Sequence, residues 1–205
     1  MNIHILVEGE RDRQIIEKML ADLQKSHTFK VTKCGGRDAA RPIARKILIQ
    51  YGEPTALLLD SDTTDTERAN QQKRDLEDYL RWGIRDIPFT VQQFVPEIEA
   101  IFFERPKALK RIWGRGLPEK TIVIGKRVPK ETLEDLLKEK HITGTDGMLS
   151  MLTDADLSDL RQHPVIKVLR EFAEQHGAKE KAPRRRANIK LQPTERARGA
   201  RPLRG

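Results

Sequence analysis

The chain has 205 residues, which is enough for one well-packed core and a small appendage. It contains no apolar run of the roughly 20 residues that a membrane helix needs and no basic-then-apolar leader, so we expect a soluble, cytoplasmic protein without a membrane partner. Its single cysteine, Cys34, excludes an internal disulfide and a zinc site built from several cysteines.

The net charge of +8 is concentrated at the end of the chain. Residues 179–205 contain ten Lys/Arg and two Glu, and removing these from the 39 basic and 31 acidic residues leaves 29 of each in residues 1–178. Because this tail has almost nothing apolar to bury, we predict that it is disordered when free. It is either an arm that binds nucleic acid, with Arg184, Arg185 and Arg186 as candidate contacts, or only a solubilising tail.

Strands and helices alternate in the first half of the sequence, as judged from apolar runs and helical periodicity. The pattern predicts four strands, at 3–7, 29–33, 56–59 and 89–95. It predicts a helix after each strand: at 12–23, from Pro42 to before Gly52, from a capping box at Thr64-x-x-Glu67 to about Trp82, and from Pro96 onward. This order is typical of an α/β fold with a mainly parallel sheet flanked by helices.

Beyond residue 105 the sequence pattern is mainly helical. It predicts an edge strand at 121–124 and helices near 130–140, 146–161 and 164–176. We therefore divide the chain into an α/β domain at 1–105, a helical extension packed on it at 106–178, and the basic tail at 179–205.

Carboxylates follow three of the four predicted strands. They are Glu8 after the first strand, Asp60, Asp62 and Asp65 after the third, and Glu97 and Glu99 after the fourth. Ligands of parallel sheets bind beyond the carboxyl ends of the strands, and a buried carboxylate must be paired or bind a metal. Paired aspartates provide the hard oxygen ligands that suit Mg²⁺ or Mn²⁺. The pattern therefore predicts a divalent-metal site at this edge of the sheet.

Two of the acidic residues have an equally good structural interpretation. Asp65 is placed to cap the next helix. Asp12 lies four residues after Glu8 and within reach of the same space, but it is also a carboxylate that a helix N-terminus favours. Of Glu97 and Glu99, we expect one to face solvent.

The segments VEGERD, GGR, LLLDSDTTD and PEIEA, in this order, resemble a Toprim domain, which occurs in primases, topoisomerases and OLD-family nucleases. The most similar group is the small standalone OLD-like Toprim nucleases of bacteria, and the likeness covers about residues 1–105. It implies a Rossmann-like Toprim fold and cleavage of DNA, or alternatively RNA, with two Mg²⁺ or Mn²⁺ ions. Full-length OLD proteins carry a P-loop, which this sequence lacks, so the resemblance implies a separate ATPase partner in phage defence or repair.

The resemblance also assigns roles to individual acidic residues. Glu8, Asp60 and Asp62 match the glutamate and the DxD pair that bind a first metal. Asp12, together with Glu97 or Glu99, would help to hold a second metal. Two such ions activate a water and stabilise the leaving oxygen.

Basic residues and glycines complete the implied site. A downstream lysine, Lys126 or Lys130, would stabilise the developing charge. Gly9 and Gly36 would let the backbone approach phosphate. Arg37 and Arg41 are placed to follow the phosphate chain, although a solvated helix face explains them as well.

Other functions remain open at this point. The motif DxDxT at 60–64 also opens haloacid-dehalogenase-like phosphatases, but the later acidic pair that they need is missing, since Asp146 follows no predicted strand. A non-catalytic Toprim scaffold that binds nucleic acid or a partner is the third interpretation. The sequence also leaves open whether the chain forms a homodimer.

Overall fold

The computed structural model describes residues 2–84, 86–114 and 117–178. A four-stranded parallel sheet lies at its centre. The strands are β1 (Ile3–Val7), β2 (Phe29–Lys33), β3 (Thr55–Asp60) and β4 (Phe89–Phe94), in the spatial order β2-β1-β3-β4. Because all the strand pairs are parallel, the carboxyl ends of the strands meet at one edge of the sheet. The predicted α/β fold with a parallel sheet is confirmed.

Helices cover both faces of this sheet. In chain order they are α1 (Glu10–Leu20), α2 (Arg37–Lys46), α3 (Thr66–Arg81), α4 (Ala100–Glu104), α5 (Lys107–Trp113), α6 (Glu119–Gly125), α7 (Pro129–Glu139), α8 (Gly144–Ser150), α9 (Asp154–Leu160) and α10 (Pro164–His176). A π-helical turn, Ile47–Tyr51, extends α2. Among the described residues, no helix has the length and apolar character needed to span a membrane.

The sheet separates two hydrophobic clusters, because successive residues of a strand point to opposite faces. On one face, Leu6 of β1 and Leu57 of β3 pack with α2 and α3. On the other face, Ile5 of β1 belongs to a cluster that includes residues of α1 and buried side chains from the helices that follow residue 100, among them Leu133 of α7 and Leu169 of α10. The strands and the later helices therefore share one core. The proposed division of the chain at residues 105 and 178 stays a prediction.

The predicted edge strand at 121–124 is wrong, because these residues lie within α6. The run is rich in apolar residues, but Val123 and Ile124 are 51% and 43% exposed and do not belong to the four-stranded sheet. α6 instead packs closely on α4: a side chain at Gly125 would overlap the ring of Phe103. Packing has overridden the strand preference of β-branched residues.

Several predicted helix boundaries are also corrected. α2 begins at Arg37, so Pro42 lies inside the helix and not in its first turn. The predicted helix at 146–161 is two helices, because Thr153 and Asp156 form a capping box that starts α9. A cis peptide bond precedes Pro96, and α4 begins four residues after that proline.

Asp65, and not Thr64, caps α3: its side chain accepts hydrogen bonds from the backbone N–H groups of Glu67 and Arg68. The predicted disordered tail at 179–205, with Arg184, Arg185 and Arg186, lies outside the described residues.

Candidate functional site

A cleft of about 510 Å³ opens at the carboxyl edge of the sheet. Six carboxylates and one lysine that the sequence pointed to line this cleft: Glu8, Asp12, Asp60, Asp62, Glu97, Glu99 and Lys130. Gly9 and Gly36 lie there as well, together with Gly35, Glu10 and Arg11. The parallel sheet thus brings together residues that are far apart in the sequence.

The turn between β1 and α1 forms one wall of the cleft. The carboxylate Oε1 of Glu8 accepts a hydrogen bond from the backbone N–H of Asp60 at 3.0 Å, which ties β1 to β3. The N–H of Gly9 donates to Oδ2 of Asp12 at 2.8 Å, so Asp12 closes the first turn of α1. The carbonyl of Glu8 accepts from the N–H groups of Gly35 and Gly36, which holds the glycine pair beside the cleft.

Asp60 lies at the centre of this arrangement. Its Oδ1 accepts a hydrogen bond from the N–H of Ile98 at 2.9 Å. Burial, and then the nearby charges of Asp12, Glu99 and Glu8, raise the pKa of Asp60 to about 9. The folded protein therefore resists placing a negative charge here unless a cation compensates it.

Burial also raises the pKa of two neighbouring carboxylates. Burial raises the pKa of Glu8, against the lowering effect of its hydrogen bond from Asp60 and of Arg37. Burial and the charge of Glu99 raise the pKa of Glu97. A set of carboxylates that disfavour one another's charge is what a bound divalent cation would neutralise.

Asp62 is presented differently from Asp60. The N–H groups of Ser61 and Asp62 both donate to the carbonyl of Pro96, at 2.9 and 3.1 Å, so the loop after β3 is fixed to the loop after β4. Asp62 has a backbone φ of 51°, in the left-handed region that few non-glycine residues adopt. Its side chain is 69% exposed and lies at the mouth of the cleft, 3.4 Å from Arg37.

Glu97 and Glu99 both line the cleft, with different partners. Glu99 is only 3% exposed and forms an ion pair with Arg11 at 2.9 Å. Arg11 also contacts Glu134 of α7 at 2.7 Å. Glu97 is half-buried, and its Oε2 accepts a hydrogen bond from the N–H of Lys130 at 3.3 Å.

Four basic residues from the sequence analysis are now placed. Arg37 begins α2, donates to the carbonyl of Asp60 and lies near the carboxylates of Asp62 and Glu8. Lys130, at the start of α7, lines the cleft, whereas Lys126, at the end of α6, does not. Arg41 lies outside the cleft, one helical turn beyond Arg37.

The predicted metal ligand Asp65 is also outside the cleft, since its carboxylate caps α3. Sequence reasoning missed Arg11 and Glu134, which join the cleft to the helical extension. Arg11 stands between two acidic residues in VEGERD, but nothing in the sequence pointed to a partner 123 residues away.

The residues of the cleft fit divalent cations by their chemistry, because hard oxygen donors converge there and repel one another. As the side chains lie, no three Asp, Glu, His or Cys residues of the described ranges come close enough together to hold an ion. Arg11, Arg37 and backbone N–H groups hold several of the oxygens instead. Cation binding would therefore require some of these side chains to rotate.

Comparison with known proteins agrees with this architecture. Residues 2–62 match the family model of the Toprim domain of Overcoming lysogenization defect (OLD) protein-like proteins. The C-terminal region of the Burkholderia pseudomallei OLD protein has a similar structure, with a TM-score of 0.55 and 16% identity over 84% of this chain and 96% of that one. The corresponding region of the Xanthomonas campestris pv. campestris OLD protein aligns with a TM-score of 0.46 and 16% identity over 85% and 97% of the two chains. No curated protein sequence matches the chain.

The parallel sheet and the acidic cleft at its carboxyl edge define a Toprim-type α/β domain. The segment matched by the family model contains Glu8, Asp60 and Asp62. Residues 2–62 therefore belong to an OLD-like Toprim domain, and the resemblance drawn from the sequence is confirmed. A domain of this type indicates, in general terms, metal-dependent chemistry of the nuclease class, with divalent cations as cofactors and nucleic acid as the substrate class.

Proposed function

We propose that the protein is a nuclease that depends on Mg²⁺ or Mn²⁺ and cleaves the phosphodiester bonds of nucleic acid, with DNA as the preferred substrate over RNA. The observation that carries this proposal is the partly buried carboxylate of Asp60, which lies among further carboxylates in an open cleft. A group that is this unfavourable in its charged form is retained at a cost in stability, which points to a role in binding a cation.

The residues divide into two sets in this proposal. Glu8, Asp60 and Asp62 hold one ion, and Asp12 with Glu97 or Glu99 holds a second. When bound, such ions polarise the phosphate, lower the pKa of a water and stabilise the leaving oxygen.

The remaining polar groups of the cleft bind the substrate. Lys130 is the lysine placed to compensate charge on the phosphate, since it lines the cleft. The N–H groups of Gly35 and Gly36 are held by the carbonyl of Glu8, so these glycines shape the wall along which a phosphate can approach. Arg37 lies beside the carboxylates of Glu8 and Asp62, from where it would contact the phosphate chain if cations took its place next to them.

The direct test is incubation of the full chain with supercoiled plasmid in Mg²⁺, in Mn²⁺ or in EDTA. We expect metal-dependent nicking by the natural protein and a loss of more than about a hundredfold in Asp60→Asn, which keeps the acceptor for Ile98 but removes the charge. Asp65→Asn is the matched control, because Asp65 has the same chemistry but caps α3 outside the cleft.

Two outcomes would redirect the proposal. Cleavage that survives in EDTA or in Asp60→Asn would exclude this cleft as the catalytic site. Absence of cleavage together with retained binding of DNA by Asp60→Asn would favour the non-catalytic scaffold. The phosphatase alternative gains no support, since Asp146 lies in α8 and accepts a hydrogen bond from Gln14.

An ATPase partner and a role in defence or repair are further proposals that rest on the resemblance to OLD proteins. A homodimer is a separate proposal, which the sequence left open. Adding a candidate ATPase to the plasmid assay tests the first of them: a partner of this kind should raise the nicking rate in an ATP-dependent way. Sedimentation of the purified chain tests the homodimer.

A further inference from the structure

A row of arginine and aromatic side chains lies between α2 and α3, outside the carboxylate cleft. The guanidinium carbons of Arg41 and Arg45, one helical turn apart on α2, lie 5.2 and 5.1 Å from the ring centre of Tyr79 on α3. Arg45 also lies 5.0 Å from the ring centre of Trp82, which directly follows α3. We call Arg41, Tyr79, Arg45 and Trp82 the arginine–aromatic ladder.

The positive charge of the ladder is not neutralised. Within the parts of the chain that the structure describes, neither Arg41 nor Arg45 forms an ion pair, whereas Arg37 at the start of the same helix contacts two carboxylates. Arg45 uses one N–H group to donate to the carbonyl of Tyr79 at 2.5 Å. A guanidinium group has five N–H donors, so most of the donors in the ladder remain available to phosphate.

Arg37 lies between the ladder and the cleft, because it precedes Arg41 on α2 and contacts Glu8 and Asp62 of the cleft. Arg37, Arg41 and Arg45 follow one another at intervals of four residues, which places them on one side of α2. Eight residues of helix span about 12 Å, enough for a segment of a few nucleotides. A strand whose phosphate lies in the cleft can therefore extend along α2 from one arginine to the next.

Trp82 indicates which form of nucleic acid suits this surface. Its side chain is 77% exposed, so core packing does not account for it. Aromatic rings beside arginines are the usual stacking platform for unpaired bases, whereas bases in a duplex are already stacked on one another. We propose that the arginine–aromatic ladder binds a single-stranded segment of the nucleic acid whose phosphodiester occupies the carboxylate cleft; this inference rests on the proposed nuclease function.

The first test uses Trp82 itself as the probe. The chain has two tryptophans, and Trp113 is 6% exposed, with no hydrogen-bond partner for its Nε1 in the described structure. In a full-length Trp113→Phe protein, fluorescence therefore reports on Trp82 alone. We expect a short thymidylate oligonucleotide, added in EDTA, to quench this fluorescence, because a base stacks on the indole. The signal is local and does not depend on the basic tail.

The second test measures the affinity of full-length variants for the same labelled oligonucleotide in EDTA. Arg41→Ala combined with Arg45→Ala should weaken binding about tenfold or more, and Trp82→Leu should weaken it by a similar factor, while Trp82→Phe keeps most of the affinity. Arg74→Ala is the matched control: Arg74 is an exposed arginine of α3 that contacts Gln71 outside the ladder. Melting temperatures of all variants show whether the arginines only fasten α2 to α3.

The outcomes separate this inference from the proposed function. Unquenched Trp82, or ladder variants that bind like the natural protein, would overturn the inference even if the plasmid is cleaved. If binding of the oligonucleotide depends on the ladder but no nucleic acid is cleaved, the result would support the ladder as a binding surface and count against the proposed nuclease activity. If the ladder variants bind normally and instead change the sedimentation of the chain, the surface is a contact between copies and the inference fails.

Discussion

At the scale of single residues, Asp60 combines two properties that rarely occur together. It is held in place by the N–H of Ile98, and it is surrounded by groups that oppose its ionisation. In the unfolded chain its carboxyl loses its proton near pH 3.8, whereas in the folded protein without metal it keeps the proton up to about pH 9. Between these values the folded state binds more protons than the unfolded state, so the free energy of unfolding must fall as the pH rises.

The pH dependence of stability is therefore predicted to change in Asp60→Asn. In EDTA, the free energy of unfolding of the natural protein should decrease from about pH 5 to about pH 8, and the substitution should flatten this slope. Near pH 8 the variant should be more stable by about 1 kcal/mol or more, since one pKa unit corresponds to about 1.4 kcal/mol. Urea unfolding at both pH values measures the effect.

Glu97→Gln is a useful comparison for this experiment, because the pKa of Glu97 is raised in the same direction at a less buried place. Glu97→Gln should change the pH dependence of the free energy of unfolding in the same direction as Asp60→Asn, but by a smaller amount. Parallel slopes for the natural protein and Asp60→Asn would show that Asp60 is not the group that titrates.

At the scale of secondary-structure elements, Arg11 links α1 to both sides of the cleft. It pairs with the buried Glu99 after β4 and with the more exposed Glu134 of α7. The two pairs should differ in energy. Removing one partner of a buried pair leaves an uncompensated charge, whereas an exposed pair contributes little.

Substitution of Arg11 and substitution of Glu134 should lower the free energy of unfolding by different amounts. In EDTA, Arg11→Met should lower the free energy of unfolding by about 3 kcal/mol, because Glu99 is left buried and unpaired. Glu134→Gln should cost less than about 1 kcal/mol. Urea denaturation with added Mg²⁺ completes the experiment, since a cation in the cleft should restore part of the stability of Arg11→Met. Equal losses of stability in Arg11→Met and Glu134→Gln would contradict the assignment of Glu99 as buried and Glu134 as exposed.

The elements also show how far the sequence could predict the molecule. The buried strands and the carboxylates after them were predictable, because a short apolar run that ends in acidic residues is typical of a buried strand that leads into a polar site. α6 was not, since the run at 121–124 has the composition of a strand and nothing in it indicates the close approach of Gly125 to Phe103. The ion pair between Arg11 and Glu134 could not be predicted either, because it depends on how α7 lies relative to α1.

At the scale of the whole molecule, charge is divided unevenly between two regions of the chain. Residues 1–178 are electrically balanced and contain the cleft, whereas residues 179–205 carry the excess of +8. Attraction of phosphate by the tail would be independent of sequence and would weaken with salt, because it depends on the release of counterions.

Shortening the chain to end at residue 178 is expected to separate binding from chemistry. The shortened protein should keep metal-dependent cleavage at saturating DNA but bind more weakly, with a lower dependence of affinity on salt. The logarithmic slope should fall by about 0.9 for each phosphate that the tail neutralises in the full-length protein. A full-length variant with the tail arginines and lysines replaced by Gln is the control for length. An unchanged salt slope would leave the tail with a solubilising role only.

The core shared by the strands and the later helices has a consequence for how such a domain can pass between proteins. A gene segment that ended at residue 105 would encode a sheet whose hydrophobic cluster around Ile5 had lost members such as Leu133 and Leu169. It would also leave Arg11 without Glu134. We therefore expect that recombination can carry the acidic cleft into another protein as a folded unit only together with the helices through α10. Such a unit would be much longer than residues 2–62, which match the family model.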